Sequence, residues 1–194
     1  MPPLRFRIIG RTLSFVASRA PWLWPLIRPL VRRFWNRMAG GWDTRMSAER
    51  LTALEEGLKH AGQPRRILEI GTGTGSGAAA IAERFPGAEL TAVDLSSEMV
   101  RRAQERLPQA RFEVADAASL PFPDDSFDLV VQLNVPVYSR ELSRVTAPAG
   151  RVLIASTFGP RTPYYTPHAL LRRKFTEVDS GQAGPGDWFI GRPA

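Results

Sequence analysis

Three carboxylates and a run of glycines carry most of the chemistry that can be read in this sequence. In "ILEIGTGTG", residues 67–75, Glu69 stands two positions before Gly71, and Thr72, Gly73 and Gly75 follow. Asp94 closes "LTAVD", and Asp116 lies in "VADAASLPFPDD". Bare glycines after a strand let backbone N–H groups approach a polar or anionic ligand, and a helix N-terminus favours negative charge. A carboxylate at the end of the next strand can accept hydrogen bonds from a ribose diol. A third, at Asp116, can accept from an amino group. Glu69 would repel a pyrophosphate but suits a ligand carrying ammonium or sulfonium charge. Each residue also has a plain structural role: glycine turns recur at tight strand–helix packing, and Asp is common at strand ends as a turn former.

These residues need elements to hold them, and the hydrophobic pattern supplies candidates. "SAERLTALEEGLKHAGQP" reads as a helix, with Ser47 as N-cap, Glu49 in the first turn, Leu51, Leu54 and Leu58 on one face, and Gly62 and Pro64 as the stop. Strands are predicted at 66–70, 90–94, 111–114, 127–133 and 151–156. Helices are predicted at 76–84, 97–107 and 138–145, with Ser76 capping the first of them. Residues 147–150 read as a turn. Thr166-Pro167 is predicted to open a helix to about Lys174 as N-cap and N1. Residues 175–180 and 188–191 read as a closing hairpin. Strands alternating with helices imply an α/β fold: a Rossmann-like, doubly wound and mostly parallel sheet.

Composition narrows the chemistry. The chain of 194 residues is long enough for a sizeable core. It has no cysteine, so disulfides and thiolate metal sites are excluded, and a cytoplasmic location is favoured. The two histidines, His60 and His168, are far apart, and no metal site is expected. A phosphate loop of the G-x-x-x-x-G-K-[ST] type is absent, and Gly75-Ser76-Gly77 does not form a G-x-S-x-G elbow. Spacing alone leaves a nicotinamide or flavin dinucleotide open, because Ala78 occupies the sixth position counted from Gly73.

Residues 1–42 contain eight arginines, no acid, and Trp22, Trp24, Trp35 and Trp42. The predicted division is a basic, Trp- and Pro-rich arm or lid at 1–45 and an enzyme body at 46–194. Arg19 and Arg28 interrupt the apolar run, so neither a spanning helix nor a signal peptide is expected. Pro21, Pro25 and Pro29 argue against one straight helix through 20–30, and short helices near 3–18 and 29–39 are expected instead. Trp and Arg together suit a lid over a core or a peripheral contact with a membrane surface. Nucleic acid is not expected as a partner.

"ILEIGTGTG", "LTAVDLSSEMV", "VADAASLPFPDDSFDLVV" and "ELSRVTAPAGRVLIAS", taken in order, resemble the class I S-adenosylmethionine-dependent methyltransferases, in particular the group containing the ubiquinone and menaquinone methyltransferases. The resemblance covers about residues 66–158. It implies seven strands with an antiparallel last strand, for which 188–191 is the candidate, and S-adenosylmethionine as cofactor. Glu69, Gly71, Thr72, Gly73 and Gly75 would then surround the methionine part of the cofactor. Asp94 would hold the ribose hydroxyls, and Leu95 and Met99 would pack on adenine or ribose. Asp116 would accept from the adenine amino group with Ala117 beside it. Leu133 and Asn134 would border the methionine end and the substrate. Pro148-Ala149-Gly150 departs mildly from the family's Pro-Gly-Gly, and "NVPVY" does not match the motif of amino-group methylating enzymes closely enough to assign nitrogen as acceptor.

Such a transfer needs the acceptor held in line with the methyl group, and catalytic residues are left unassigned. His168, Tyr138, Tyr164 and Tyr165 are the candidate bases. The acceptor is expected to be a small or lipid-like molecule. The arm, "NVPVY" and "FGPRTPYYTPH" are expected to form its pocket. An NAD(P)-dependent oxidoreductase and a non-catalytic S-adenosylmethionine-binding protein remain the alternatives. Oligomeric state is not legible.

Overall fold

The computed structural model describes residues 10, 12–13, 15–16, 20–43 and 50–194. The expected N-cap Ser47, the boundary at 45–46 and most of the expected helix at 3–18 lie outside them.

A single 3-10 turn, Pro21–Leu23, leads into α1, Trp24–Met38, and a second such turn, Ala39–Gly41, ends it. The expected break through 20–30 is therefore corrected. Pro25 falls at the start of the helix, where the N–H it lacks would have no intrahelical partner. Only Pro29 lies inside and removes a bond. Helix α2 runs Thr52–Lys59.

The body alternates as the pattern predicts: β1 Arg66–Ile70, α3 Ser76–Arg84, β2 Glu89–Asp94, α4 Ser97–Arg106, β3 Arg111–Val114, β4 Phe127–Leu133, α5 Ser139–Val145 and β5 Thr146–Ser156. Three local expectations change. Gly75, at φ 85°, takes the N-cap of α3, so Ser76 does not cap it. The turn at 147–150 is an irregularity inside β5, where Phe127 pairs with Thr146 but Leu129 pairs with Arg151. Helix α6 is only His168–Leu171, with Pro167 as N-cap in an extended conformation. Strands β6, Phe175–Ala183, and β7, Gly186–Pro193, make a longer hairpin than expected, turning at Gly184-Pro185.

The seven strands lie in the order β3-β2-β1-β4-β5-β7-β6. Pairing is parallel from β3 to β5, and β7 is antiparallel to both neighbours. Alternation along the buried strands feeds two cores. On one face, Ile67, Leu129, Val131 and Leu153 pack with Leu54 and Leu58 of α2 and Ile81 of α3. On the other, Leu68, Val130, Val152 and Phe189 pack with Leu142 and Val145 of α5 and Leu171 of α6. Helices on both faces fix the sheet and bring the carboxyl ends of β1 to β5 to one edge, where open parallel sheets bind ligands.

Candidate functional site

The turn after β1 folds on itself. Gly71, Gly73 and Gly75 have φ of 75°, 56° and 85°, a left-handed region that glycine enters without penalty. The amides of Gly71 and Thr72 donate to the Val93 carbonyl at 2.8 and 3.0 Å, and the Gly75 amide donates to the Thr72 carbonyl at 3.0 Å. The Gly73 amide donates to Asp94 Oδ2 at 2.9 Å. The expectation that these N–H groups face an anionic ligand is thus corrected: each is bonded within the protein. Backbone space is also taken by the protein. A Cβ on Gly71 would lie 2.3 Å from Val135 Cγ2, and one on Gly75 3.1 Å from Ala103.

Glu69 is buried beneath the turn. It accepts from the Thr72 hydroxyl and from the Ala78 amide at the start of α3. Burial pushes its pKa up to about 7, the Asp94 charge adds to this, and the two hydrogen bonds oppose it. Asp94 accepts from the Ser96 amide at 2.8 Å through Oδ1 in addition to Gly73. Burial raises its pKa too, against those bonds. Asp116 accepts from the Ala118 amide at 2.9 Å through Oδ1. Its Oδ2 accepts from Trp24 Nε1 at 2.7 Å and Arg28 at 3.3 Å. The arm thus reaches the carboxylate that sequence reading reserved for an amino group.

After β4, Asn134 adopts φ 58°. Its Nδ2 donates to Thr157 Oγ1 at 2.6 Å, and its Oδ1 accepts from the Thr157 amide at 3.0 Å, clasping the ends of β4 and β5 together.

One cavity of about 330 Å³ joins these groups. It is lined by Glu69, Gly71, Thr72, Gly73, Asp94, Leu95, Met99, Asp116, Ala117, Leu133 and Asn134. Gly75 is the exception among the expected residues, because it is turned onto Ala103 of α4. The opposite wall is supplied by Trp24, Val31, Trp35 and Trp42 of the arm, by Val135, Pro136 and Tyr138 after β4, and by Phe158, Pro163 and Tyr164 after β5. Sequence reading named these three segments but missed Arg50, which also lines the cavity; a lone arginine among 24 carries no signal until the fold positions it.

Two of the candidate bases are in the cavity. Burial raises the pKa of Tyr138, with Asp116 adding to it, and burial raises that of Tyr164, with Asp94 and Tyr138 adding. Both phenols therefore stay protonated at neutral pH and act as donors, not bases. The Tyr138 hydroxyl is buried with no partner among the described residues. His168 is outside the cavity, 3.8 Å from Asp187, and Tyr165 is outside as well. Among the described residues no cluster of His, Asp and Glu could hold a metal ion.

The donor set fits a nucleoside with a cationic tail better than a dinucleotide. Three carboxylates line the cavity, and no turn amide is left for a pyrophosphate. Comparison with known proteins agrees. Residues 67–154 match the model of the methyltransferase domain family. The chain is 39% identical over 150 residues to a malonyl-[acyl-carrier protein] O-methyltransferase of Halorhodospira halophila, covering 70% of this chain and 50% of that protein. It is 42% identical over 102 residues to a demethylmenaquinone methyltransferase of Thermus thermophilus, covering 47% and 46%. The chain thus spans about half the length of these curated relatives. The fold is shared with a SAM-dependent methyltransferase of Aquifex aeolicus at 19% identity, with a TM-score of 0.65 over 79% of this chain and 97% of that one.

Proposed function

We propose, from the premise that residues 67–154 belong to the class I S-adenosylmethionine-dependent methyltransferases, that this chain transfers a methyl group to a small acceptor with an apolar, lipid-like body. The observation that carries the reading is the cavity itself: Asp116, Asp94 and Glu69 follow β3, β2 and β1 along one wall, and aromatic residues of the arm face them. S-adenosylmethionine, when bound, supplies a methyl group already electrophilic on sulfonium. Asp94 would then hold the ribose and Asp116 the adenine amino group. Glu69 holds the glycine turn and lends negative charge near the cationic end. Tyr138 and Tyr164 donate rather than accept protons, which supports an acceptor that brings its own nucleophile and is held in line by the walls.

The aromatic arm supports an apolar acceptor, and its outer face supports contact with an anionic membrane surface. Trp22, Leu26 and Leu30 recur at helical spacing and are 71%, 73% and 65% exposed, with Arg33 and Arg37 continuing the stripe. Among the described residues no helix is long and apolar enough to cross a membrane.

The test is incubation with methyl-labelled S-adenosylmethionine and a bacterial extract, followed by organic extraction. Label in the apolar phase, absent with Asp94→Ala, is expected. Binding of NAD(H) without binding of S-adenosylmethionine would overturn the reading in favour of an oxidoreductase.

A further inference from the structure

We propose that Arg50 is the carboxylate anchor of the cavity and holds the carboxyl group of the cofactor's methionine end. The inference rests on the methyltransferase reading and adds a contact that no motif assigns. The first observation is charge. Every ionisable acid lining the cavity belongs to the β1–β3 side, and Arg50 is the one basic residue among the described residues that line it. The ligand proposed here is not simply a cation. Its methionine end carries an ammonium and a carboxylate on the same carbon, so a wall of carboxylates alone would leave that carboxylate facing like charge.

The second observation is position. Thr157 Oγ1 donates to the Arg50 carbonyl at 3.2 Å, and Thr157 is clasped by Asn134 at the end of β4. Arg50 is therefore tied above β4 and β5, whereas Asp116 and Asp94 follow β3 and β2. Neighbouring strands are about 4.8 Å apart, so β2 and β4, with β1 between them, are separated by roughly 10 Å. That is the scale separating a ribose from the far end of an amino-acid tail. The cavity thus has an axis: amino-group acceptor at Asp116, diol acceptor at Asp94, negative charge at Glu69, then the guanidinium.

The third observation is availability. The Arg50 guanidinium carbon lies 5.4 Å from the centre of the Phe158 ring, a contact that holds the group at the cavity while leaving its N–H donors open. Arg28, Arg101, Arg102, Arg106, Arg144 and Arg172 all pair with carboxylates, but no described carboxylate pairs with Arg50. A guanidinium fork matches a carboxylate in bidentate geometry, which a lysine cannot reproduce.

Calorimetry on the full chain separates this from its rivals. The ligands are S-adenosylhomocysteine and 5′-methylthioadenosine, which shares the adenosine but has neither carboxylate nor ammonium. Arg50→Gln should weaken S-adenosylhomocysteine at least tenfold and leave 5′-methylthioadenosine within twofold of wild type. Arg50→Lys should fall between. Decarboxylated S-adenosylmethionine, which keeps the ammonium, should bind wild type and Arg50→Gln alike. Equal weakening of all ligands would overturn the assignment in favour of a structural role. Unchanged S-adenosylhomocysteine affinity would also overturn it, and would turn Arg50 towards an acidic acceptor. Wild-type protein that binds none of the adenosine ligands would instead remove the methyltransferase reading beneath it.

Discussion

The indole N–H of Trp24 donates to Asp116 Oδ2 at 2.7 Å, across 92 residues of sequence. Oδ2 also receives Arg28, so the acceptor oxygen that faces the arm already carries two donors. An adenine amino group that bonds there must displace or share with the indole. Trp24→Phe keeps the ring and removes the donor. Affinity for S-adenosylhomocysteine is expected to rise about threefold to tenfold, since a hydrogen bond to a charged group is worth roughly 1.5–3 kcal/mol and sharing forfeits part of it. Unchanged or weaker binding in a titration would show that indole and adenine use Asp116 side by side.

Asp94 ties the glycine turn to the start of α4 through its bonds to the Gly73 and Ser96 amides. Asp94→Ala should weaken cofactor binding tenfold or more. It should also lower the melting temperature, because two buried amides lose an acceptor at roughly 1–3 kcal/mol each. Full affinity in the folded variant, measured by calorimetry, would sink the ribose assignment.

Gly73 has φ 56°, and a Cβ there would sit 3.2 Å from Trp42 Nε1. Gly73→Val should fold, with a backbone penalty of roughly 1–2 kcal/mol, and should bind no cofactor. Normal binding would reduce the glycine to a packing device.

Glu69 yields a pH prediction. Its folded pKa, about 7, lies above the ordinary value of 4.5. Below 4.5 both states hold the proton and the group contributes nothing. Between 4.5 and 7 the unfolded chain loses its proton first, so stability falls as pH rises. Above 7 the penalty is complete, at about 3 kcal/mol. Thermal melts of Glu69→Gln should lack this decline. A variant and wild type that change in parallel from pH 5 to 8 would show that Glu69 is not its source.

The outer stripe of α1 can be altered without touching the cavity. Leu26→Glu with Leu30→Glu should leave S-adenosylhomocysteine affinity unchanged and reduce sedimentation with anionic vesicles at low salt by at least tenfold. Equal sedimentation of wild type and variant would remove the membrane contact.

The body was legible because its signals are local. Ile67, Leu90 and Leu129 alternate with neighbours that face the other core, and Gly75 and Pro108 mark ends that lie within a residue or two of those observed. The strand-end carboxylates were legible because topology alone gathers them. The arm was not. Proline rules describe an isolated helix interior, and Pro25 escapes them by standing in a first turn. Arg50 and the Trp24–Asp116 bond are products of long-range packing, for which periodicity has no signature.

That long separation also has a consequence for synthesis. Trp24 leaves the ribosome 92 residues before Asp116 exists. At 5–20 residues per second this is a delay of roughly 5–18 s. Throughout it the tryptophans of the arm have neither the strand ends nor Tyr138 and Tyr164 to cover them. The first described helix to be translated is thus the last to gain its tertiary partners, and a nascent chain stalled before residue 116 would present a basic, indole-rich segment to whatever surface or chaperone stands at the tunnel exit.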